Sequence, residues 1–425
     1  MSFTACDGDL YALVDCNNFY ASCERLFNPS LKNVPVIVLS NNDGCVVARS
    51  EEAKEIGIEM GVPLFEIRDL VKNQNVRAFS SNYVLYGDMS SRVMNVLREF
   101  TPNIEVYSID EAFLLLRGFS NFNMEDYARK IKETVYRRVG LPVSVGIART
   151  KTLAKIANYL SKRVFKTGMF SLLDNIDDYL KKIPVEKIWG IGRQRQKWLN
   201  NQSVYTAFDL KNMPDGQVRK KMTVTGLRTV WELRGISCLS MEEVIPDKKA
   251  VSCSRMFGYL VEDLNQLEEA ASAYVARACV KLRRQNLLAG YLHVIIETNR
   301  FKGDYYNNSL GMYITPPSAY TPLLSHYTRL LLKEIFKKGY KYNRVGVVLT
   351  DLSSERQAQE YFLDPYYLGT RYQKLMQTID NYNSSVNCGK IQLASEGLGQ
   401  PWHMKQTRKS PRFTTSWSEL LEVKI

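Results

Sequence analysis

The segment Tyr107-Ser108-Ile109-Asp110-Glu111-Ala112-Phe113 sets two adjacent carboxylates between an alternating apolar run (Ile104, Val106) and a solidly apolar one (Phe113 to Leu116). Both flanks read as short strands rich in β-branched and large apolar residues. A charged pair where two such strands meet is costly unless water, a cation or hydrogen bonds compensate it. A polar hairpin turn on a surface meets that condition. So does a hard-cation site, in which clustered carboxylates hold Mg²⁺ beside a phosphate-bearing substrate. Upstream, Leu10-Tyr11-Ala12-Leu13-Val14-Asp15 is an apolar strand that ends on a lone carboxylate. Asp15, Asp110 and Glu111 are therefore expected to meet at the edge of one sheet, which favours the cation site.

The rest of the chain narrows the class of partner. The formal net charge of +13 is spread along 425 residues, as in a protein that lies along a polyanion. No apolar run reaches the length of a transmembrane helix, and no basic-then-apolar signal peptide opens the chain. No membrane partner and a cytoplasmic location are expected. The eight cysteines form no CxxC pair, so free thiols are expected rather than zinc or disulfides. His293, His326 and His403 are isolated, which suits structural roles.

In chain order, the strand at 10–15 is followed closely by Phe19 and Tyr20, whose rings must lie near whatever Asp15 binds. Val34 to Leu39 reads as a buried strand and Asn41-Asn42-Asp43-Gly44 as a turn. Val46 to Met60, a short strand and a helix, reads as an insertion riding on the main sheet. Helices are expected at Ser90–Phe100, with Ser90 as cap, and at 124–138. A strand at 141–147 feeds a helix on which Lys151, Lys155, Lys162 and Arg163 line one side. Strand–helix–strand–strand–helix–strand order predicts a ferredoxin-like α+β domain. Residues 176–240 read as short helices. Within them, Ile188-Trp189-Gly190-Ile191-Gly192-Arg193 is a glycine hairpin that can turn N–H groups toward a phosphate. A linker at 244–253 leads to a second α+β region, with strands at 251–258, 289–299 and 343–350 and helices at 264–284 and 321–338. The tail from 353 to 425 is polar and reads as partly disordered or ordered by a partner.

Taken together, Asp15 with Phe19-Tyr20, Ser108-Ile109-Asp110-Glu111, Gly190-Ile191-Gly192 and the helix through Lys155 and Lys162 resemble the Y-family (translesion) DNA polymerases. The resemblance covers roughly residues 8–350. Leu39-Ser40-Asn41-Asn42-Asp43-Gly44-Cys45, Phe79-Ser80-Ser81-Asn82-Tyr83, Trp189 to Arg193 and Ser410-Pro411-Arg412-Phe413-Thr414-Thr415 are similar to the UmuC branch, the catalytic subunits of bacterial DNA polymerase V.

The resemblance implies a right-hand polymerase of α+β multidomain class. Its parts would be a ferredoxin-like palm (1–40, with the start of the fingers, and 83–175), small fingers (41–82) and a helical thumb with a helix-hairpin-helix (176–243). The linker (244–253), an α+β little finger (254–352) and a partner-binding tail (353–425) would follow. Asp15, Asp110, Glu111 and the backbone carbonyl of Cys16 would hold two Mg²⁺ ions. Tyr20 would discriminate the sugar, and Lys54 and Lys162 would contact the triphosphate of a dNTP. Gly190, Gly192, Arg193, Lys248, Lys249 and Arg255 would hold primer-template DNA. Gln359-Glu360-Tyr361-Phe362-Leu363 resembles a sliding-clamp-binding peptide, with Gln359, Phe362 and Leu363 as its anchors. The chain departs from the pattern where many members carry Tyr and Arg in the fingers helix and it carries Glu51 and Lys54. The implied activity is low-fidelity synthesis across damaged template bases in the SOS response, close to the bacterial nucleoid. A processed UmuD-like dimer, a RecA filament and the sliding clamp are the implied partners. Two other classes share features: a palm-type nucleotide cyclase, which needs no second α+β domain, and a non-catalytic DNA-binding accessory, which needs no carboxylates.

Overall fold

The computed structural model describes residues 8–119, 122–241, 248–301, 303–355, 369–385 and 390–421. The chain forms two compact units: Met1–Ser40, Gly44–Ile245 and Arg408–Ile425 in one, Asn41–Asp43 and Pro246–Thr407 in the other.

Among its described residues the first unit has eight strands: β1 (Leu10–Cys16), β2 (Val36–Leu39), β3 (Val46–Arg49), β4 (Arg77–Ser80), β5 (Ile104–Val106), β6 (Glu111–Leu116), β7 (Val143–Ala148) and β8 (Met169–Leu172). Its larger sheet runs β5-β6-β1-β7-β8. β1 lies between β6 and β7 and is antiparallel to both. That is the expected ferredoxin-like order, extended by β8 parallel to β7. Side chains alternate across a strand. Ala12, Val14 and Cys16 accordingly join a core with the helices Tyr83–Leu97 and Met124–Val139. Tyr11 and Leu13, with Phe113 and Leu115 of β6, pack instead against the helix Lys151–Arg163. The same period puts Asp15 and Glu111 on the face that this basic helix covers. The helix comes close: a Cβ at Gly146 of β7 would overlap the backbone at Asn158. Asn158 Nδ2 donates to the carbonyls of Leu13 and Ser144, 3.4 and 3.0 Å away.

Two expectations are corrected here. The segment after β1 does not ride on the main sheet but forms its own, ordered β3-β2-β4. The unbroken apolar run of β2 is the mark of a strand covered on both faces. Ile37 and Leu39 enter a separate core with Val46, Ala53 and Ile58, while Val38 enters the core under β1. The helix assigned to Ser90–Phe100 begins at Tyr83, with Asn82 as its cap and Ser90 buried within it. Asn82 accepts from Leu85 N, the bond that a cap side chain supplies.

The second unit is a four-stranded antiparallel sheet built from β9 (Val251–Val261), β10 (Leu287–Thr298), β11 (Asn307–Ser318) and β12 (Tyr342–Ser354), ordered β11-β10-β12-β9. The helices Leu264–Arg283 and Thr321–Ile335 pack against it in one core. β9 starts at Val251, so the last residues of the expected linker are strand. β11 was not expected: it is an edge strand, exposed or half-buried along its length except at Ile314, with Asn307-Asn308 at one end and Pro316-Pro317 near the other. The tail is also more ordered than expected. It contains the helix Gly369–Ser385, whose Asp380 pairs with Arg283 at 2.7 Å. Trp402 is 1% exposed and sits edge-on to Tyr274, so a tryptophan from the polar tail completes this core.

Among the described residues no helix is long and apolar enough to cross a membrane. Cys16, Cys23, Cys45, Cys238, Cys253 and Cys279 are free thiols. The expected clamp-binding residues Gln359, Phe362 and Leu363 lie outside the described residues.

Candidate active site

Antiparallel pairing sets Asp15 directly opposite Glu111, and Cys16 N donates to Asp110 O at 2.8 Å. The three carboxylates thus converge where β1 ends and β6 begins. The turn before β6 is tied by Ser108. Its hydroxyl donates to Asp110 Oδ1 at 2.6 Å and accepts from the amides of Asp110 and Glu111 at 3.3 and 3.0 Å. Such a local hydroxyl bond competes with strand pairing and fixes a turn.

Lysines answer this charge. Lys162 Nζ lies 2.6 Å from Asp15 Oδ1 and Lys155 Nζ 2.8 Å from Glu111 Oε2. They stand seven positions apart, two helical turns, and so share a face. Burial is the main cause that pushes the Asp15 carboxyl up to about 6. Lys162 opposes the rise by charge and hydrogen bond, while Glu111 and Asp110 add to it. Lys155 is also boxed by rings. Its ammonium lies 4.5, 5.3 and 5.8 Å from the ring centroids of Tyr107, Trp189 and Phe113. Trp189 Nε1 donates to the Tyr107 hydroxyl at 3.1 Å. The residue just before the glycine hairpin therefore touches the turn that carries the carboxylates. Sequence reasoning missed Tyr107 and Trp189 as parts of the site and gave Ser108 no role within its motif; for the two rings, the aromatic residue beside each motif was the available signal.

Lys54 is held near the same strand end through Asn18, a left-handed residue (φ 50°) three positions after Asp15. Lys54 Nζ donates to Asn18 Oδ1 at 2.6 Å and to Glu51 Oε1 at 2.7 Å. Burial works against the Glu51 charge, but the Lys54 hydrogen bond and charge hold its carboxyl below the usual range. Glu51, the departure from the resembled pattern, is thus the partner of Lys54. Tyr20 lies in the first turn of the helix Phe19–Leu26, beside this cluster.

Gly190 adopts φ +86°, a conformation that favours glycine, and Arg195 Nη1 donates to its carbonyl at 2.8 Å. Gly192 caps the helix Arg193–Asn200, and Gly192 and Arg193 are exposed. Lys248, Lys249 and Arg255 are exposed residues of the second unit.

Three carboxylates and a backbone carbonyl are a hard-oxygen set that fits a divalent cation such as Mg²⁺. Set against two ammonium groups, the three carboxylates leave the cluster net negative. Among the described residues no three ligating side chains are gathered tightly enough to hold a metal; Lys162 and Lys155 engage Asp15 and Glu111.

Comparison with known proteins gives this arrangement its family. Residues 14–159 match the impB/mucB/samB family and residues 248–362 its C-terminal domain. Residues 373–423 match a domain of unknown function (DUF4113). The chain is 42% identical to protein UmuC of Salmonella typhimurium (strain LT2), over 98% of this chain and 100% of that protein. It is 38% identical to protein SamB of Salmonella typhimurium over the same shares. The solved Y-family DNA polymerase chimera of Dbh and Dpo4 superposes with a TM-score of 0.66 at 22% identity, over 81% of this chain and 99% of the other. That likeness supports the fold. The chain belongs to the impB/mucB/samB family and is a UmuC-type member of the Y-family DNA polymerases.

Proposed function

We propose that the chain is a template-directed DNA polymerase of low fidelity, which extends primers across damaged template bases. The observation that carries this reading is the convergence of Asp15, Asp110 and Glu111 on the face of the sheet that Lys155 and Lys162 cover. The reaction forms a bond from the primer 3′-oxygen to the α-phosphorus of a dNTP and breaks the α–β phosphoanhydride, releasing pyrophosphate.

Asp15, Asp110, Glu111 and the Cys16 carbonyl would hold two Mg²⁺ ions. Such ions, when bound, acidify the attacking hydroxyl and neutralise charge on the leaving phosphates. Lys162, two helical turns from Lys155, would turn to the triphosphate once a cation takes over Asp15. Lys54 would join it, with the triphosphate competing against Glu51. Tyr20 would wall the sugar, and Gly190, Gly192 and Arg193 would offer backbone N–H groups and charge to the DNA backbone. Lys248, Lys249 and Arg255 would add phosphate contacts. Gln359, Phe362 and Leu363 would engage a sliding clamp, and a processed UmuD-like dimer and a RecA filament would complete the working assembly. That work would take place in the bacterial cytoplasm, at the nucleoid.

Primer extension opposite an abasic site, with and without those partners, tests the activity. Synthesis past the lesion is expected. Absence of nucleotide addition on undamaged primer-template, with every partner supplied, would overturn the reading.

Binding to primer-template should also weaken steeply with salt, given the net charge of +13. A protein that neutralises ~6–10 phosphates loses ~10³–10⁵ in affinity between about 50 and 200 mM salt. Fluorescence anisotropy across that range measures the slope. A flat plot would remove phosphate contacts as the source of affinity.

A further inference from the structure

Tyr20 does not stand alone. Its ring stacks on that of Tyr86, with centroids 4.4 Å apart and planes 15° apart, and meets Tyr83 edge-on at 6.0 Å. Tyr86 is fully buried, and its hydroxyl donates to Glu24 Oε1 at 2.7 Å. The same oxygen accepts from Ser410 Oγ at 3.0 Å, a residue 386 positions away. Glu24 is 2% exposed, so these two hydroxyls answer a carboxyl that burial would otherwise leave unsatisfied.

Ser410 belongs to a strap, residues 408–413, that the first unit holds at several points. Ser80 N donates to Arg408 O at 3.0 Å, and Arg408 N to Ser80 Oγ at 3.0 Å. Asn82 Nδ2 reaches Ser410 O, Ser410 Oγ and Pro411 O at 3.0–3.1 Å. Phe413 stacks on Phe27 with centroids 4.7 Å apart. Asn82 is fully buried, and its other amide atom caps the helix from which Tyr83 and Tyr86 project. One side chain therefore holds both the strap and the first turn of that helix.

A wall excludes a hydroxyl by clash only if it cannot retreat. Tyr20 is backed face-on by Tyr86, and the Tyr86 hydroxyl is pinned by a carboxyl that the strap also holds. We propose that Tyr86 is a positioning residue for a sugar-discriminating Tyr20, and that the C-terminal strap, through Ser410 and Glu24, belongs to the apparatus that rejects ribonucleotides. The proposal rests on the reading of Tyr20 as the wall against the sugar, and it adds a contribution from residues 408–413.

The test compares kcat and KM for a ribonucleotide and its deoxy counterpart in the full-length protein with its partners. The variants are Tyr86→Leu, Tyr86→Phe, Ser410→Ala and, as reference, Tyr20→Ala. Tyr86→Leu is expected to lower the deoxy-to-ribo ratio of kcat/KM by about 10-fold or more, since misplacement on the ångström scale costs or restores rates of that order. The change should appear as a lower ribonucleotide KM, with deoxynucleotide kcat within about threefold of the parent. A merely structural role would lower both nucleotides alike. Tyr86→Phe and Ser410→Ala keep the core volume and break only the hydrogen-bonded chain, so they decide the matter if Tyr86→Leu fails to fold. They are expected to shift the ratio in the same direction by a smaller factor. If Tyr20→Ala relaxes the ratio and the folded Tyr86 and Ser410 variants keep the parental value, the proposal is overturned. If Tyr20→Ala itself leaves the ratio unchanged, the reading of Tyr20 as the wall falls, and the proposal with it.

Discussion

Asp110→Ala is expected to reduce nucleotide addition by ~10²–10³-fold, the scale of losing one preorganised electrostatic contact in an active site. Primer-template affinity should stay close to the parental value, because phosphate contacts elsewhere supply most of it. Asp110 is a cleaner choice than Asp15 or Glu111. Removing Asp15 frees Lys162 and removing Glu111 frees Lys155, and either change leaves a half-buried ammonium that alters binding as well as chemistry. Asp110 is held by Ser108, so its loss leaves no cation stranded. Single-turnover extension and anisotropy on the same preparation separate chemistry from binding. Parental rates in the folded variant would end the assignment of the carboxylates to catalysis.

The second large effect is on sugar choice. A ribonucleotide differs from the correct substrate by one hydroxyl, and an aromatic wall rejects it by clash. Shrinking that wall in Tyr20→Ala should let the deoxy-to-ribo ratio of kcat/KM fall by roughly 100-fold. Some deoxynucleotide rate should be lost as well, because the sugar is held less firmly. Stability is a lesser concern here than at Tyr86, which is fully buried while Tyr20 is only half-buried. An unchanged ratio in a folded variant would assign Tyr20 to packing.

The sheet that carries the carboxylates was legible because its strands are short, apolar and bounded by turn residues. The meeting of Asp15 with Glu111 followed from two strand ends each marked by a carboxylate. Less local features were not legible. Nothing near Lys155 in sequence announces Trp189 as part of its box, because the contact depends on how a helical segment folds back on the turn at Tyr107. The edge strand β11 escaped because only Ile314 along it is buried, and its Asn, Gly and Pro residues read as turn rather than strand. The helix capped by Asn82 was placed late because its first residues, Tyr83 and Val84, are exposed apolar residues that blur the helical period. The tail read as loose on composition alone. Its order depends on a few anchors, among them Trp402, Asp380, Ser410 and Phe413, spaced too widely to form a periodic pattern.

The strap also bears on the order in which the chain can fold during synthesis. The first unit includes Gly44–Ile245 and Arg408–Ile425, and all of the second unit except Asn41–Asp43 lies between those two segments. While the nascent chain is shorter than 408 residues, the Asn82 amide and the Glu24 carboxyl lack their partners at Ser410 and Pro411. Buried polar groups in that condition cost free energy. The N-terminal unit therefore waits, incomplete, while the second unit is made and can fold as a body of its own. It closes only once Ser410 and Pro411 are available to Asn82 and Glu24.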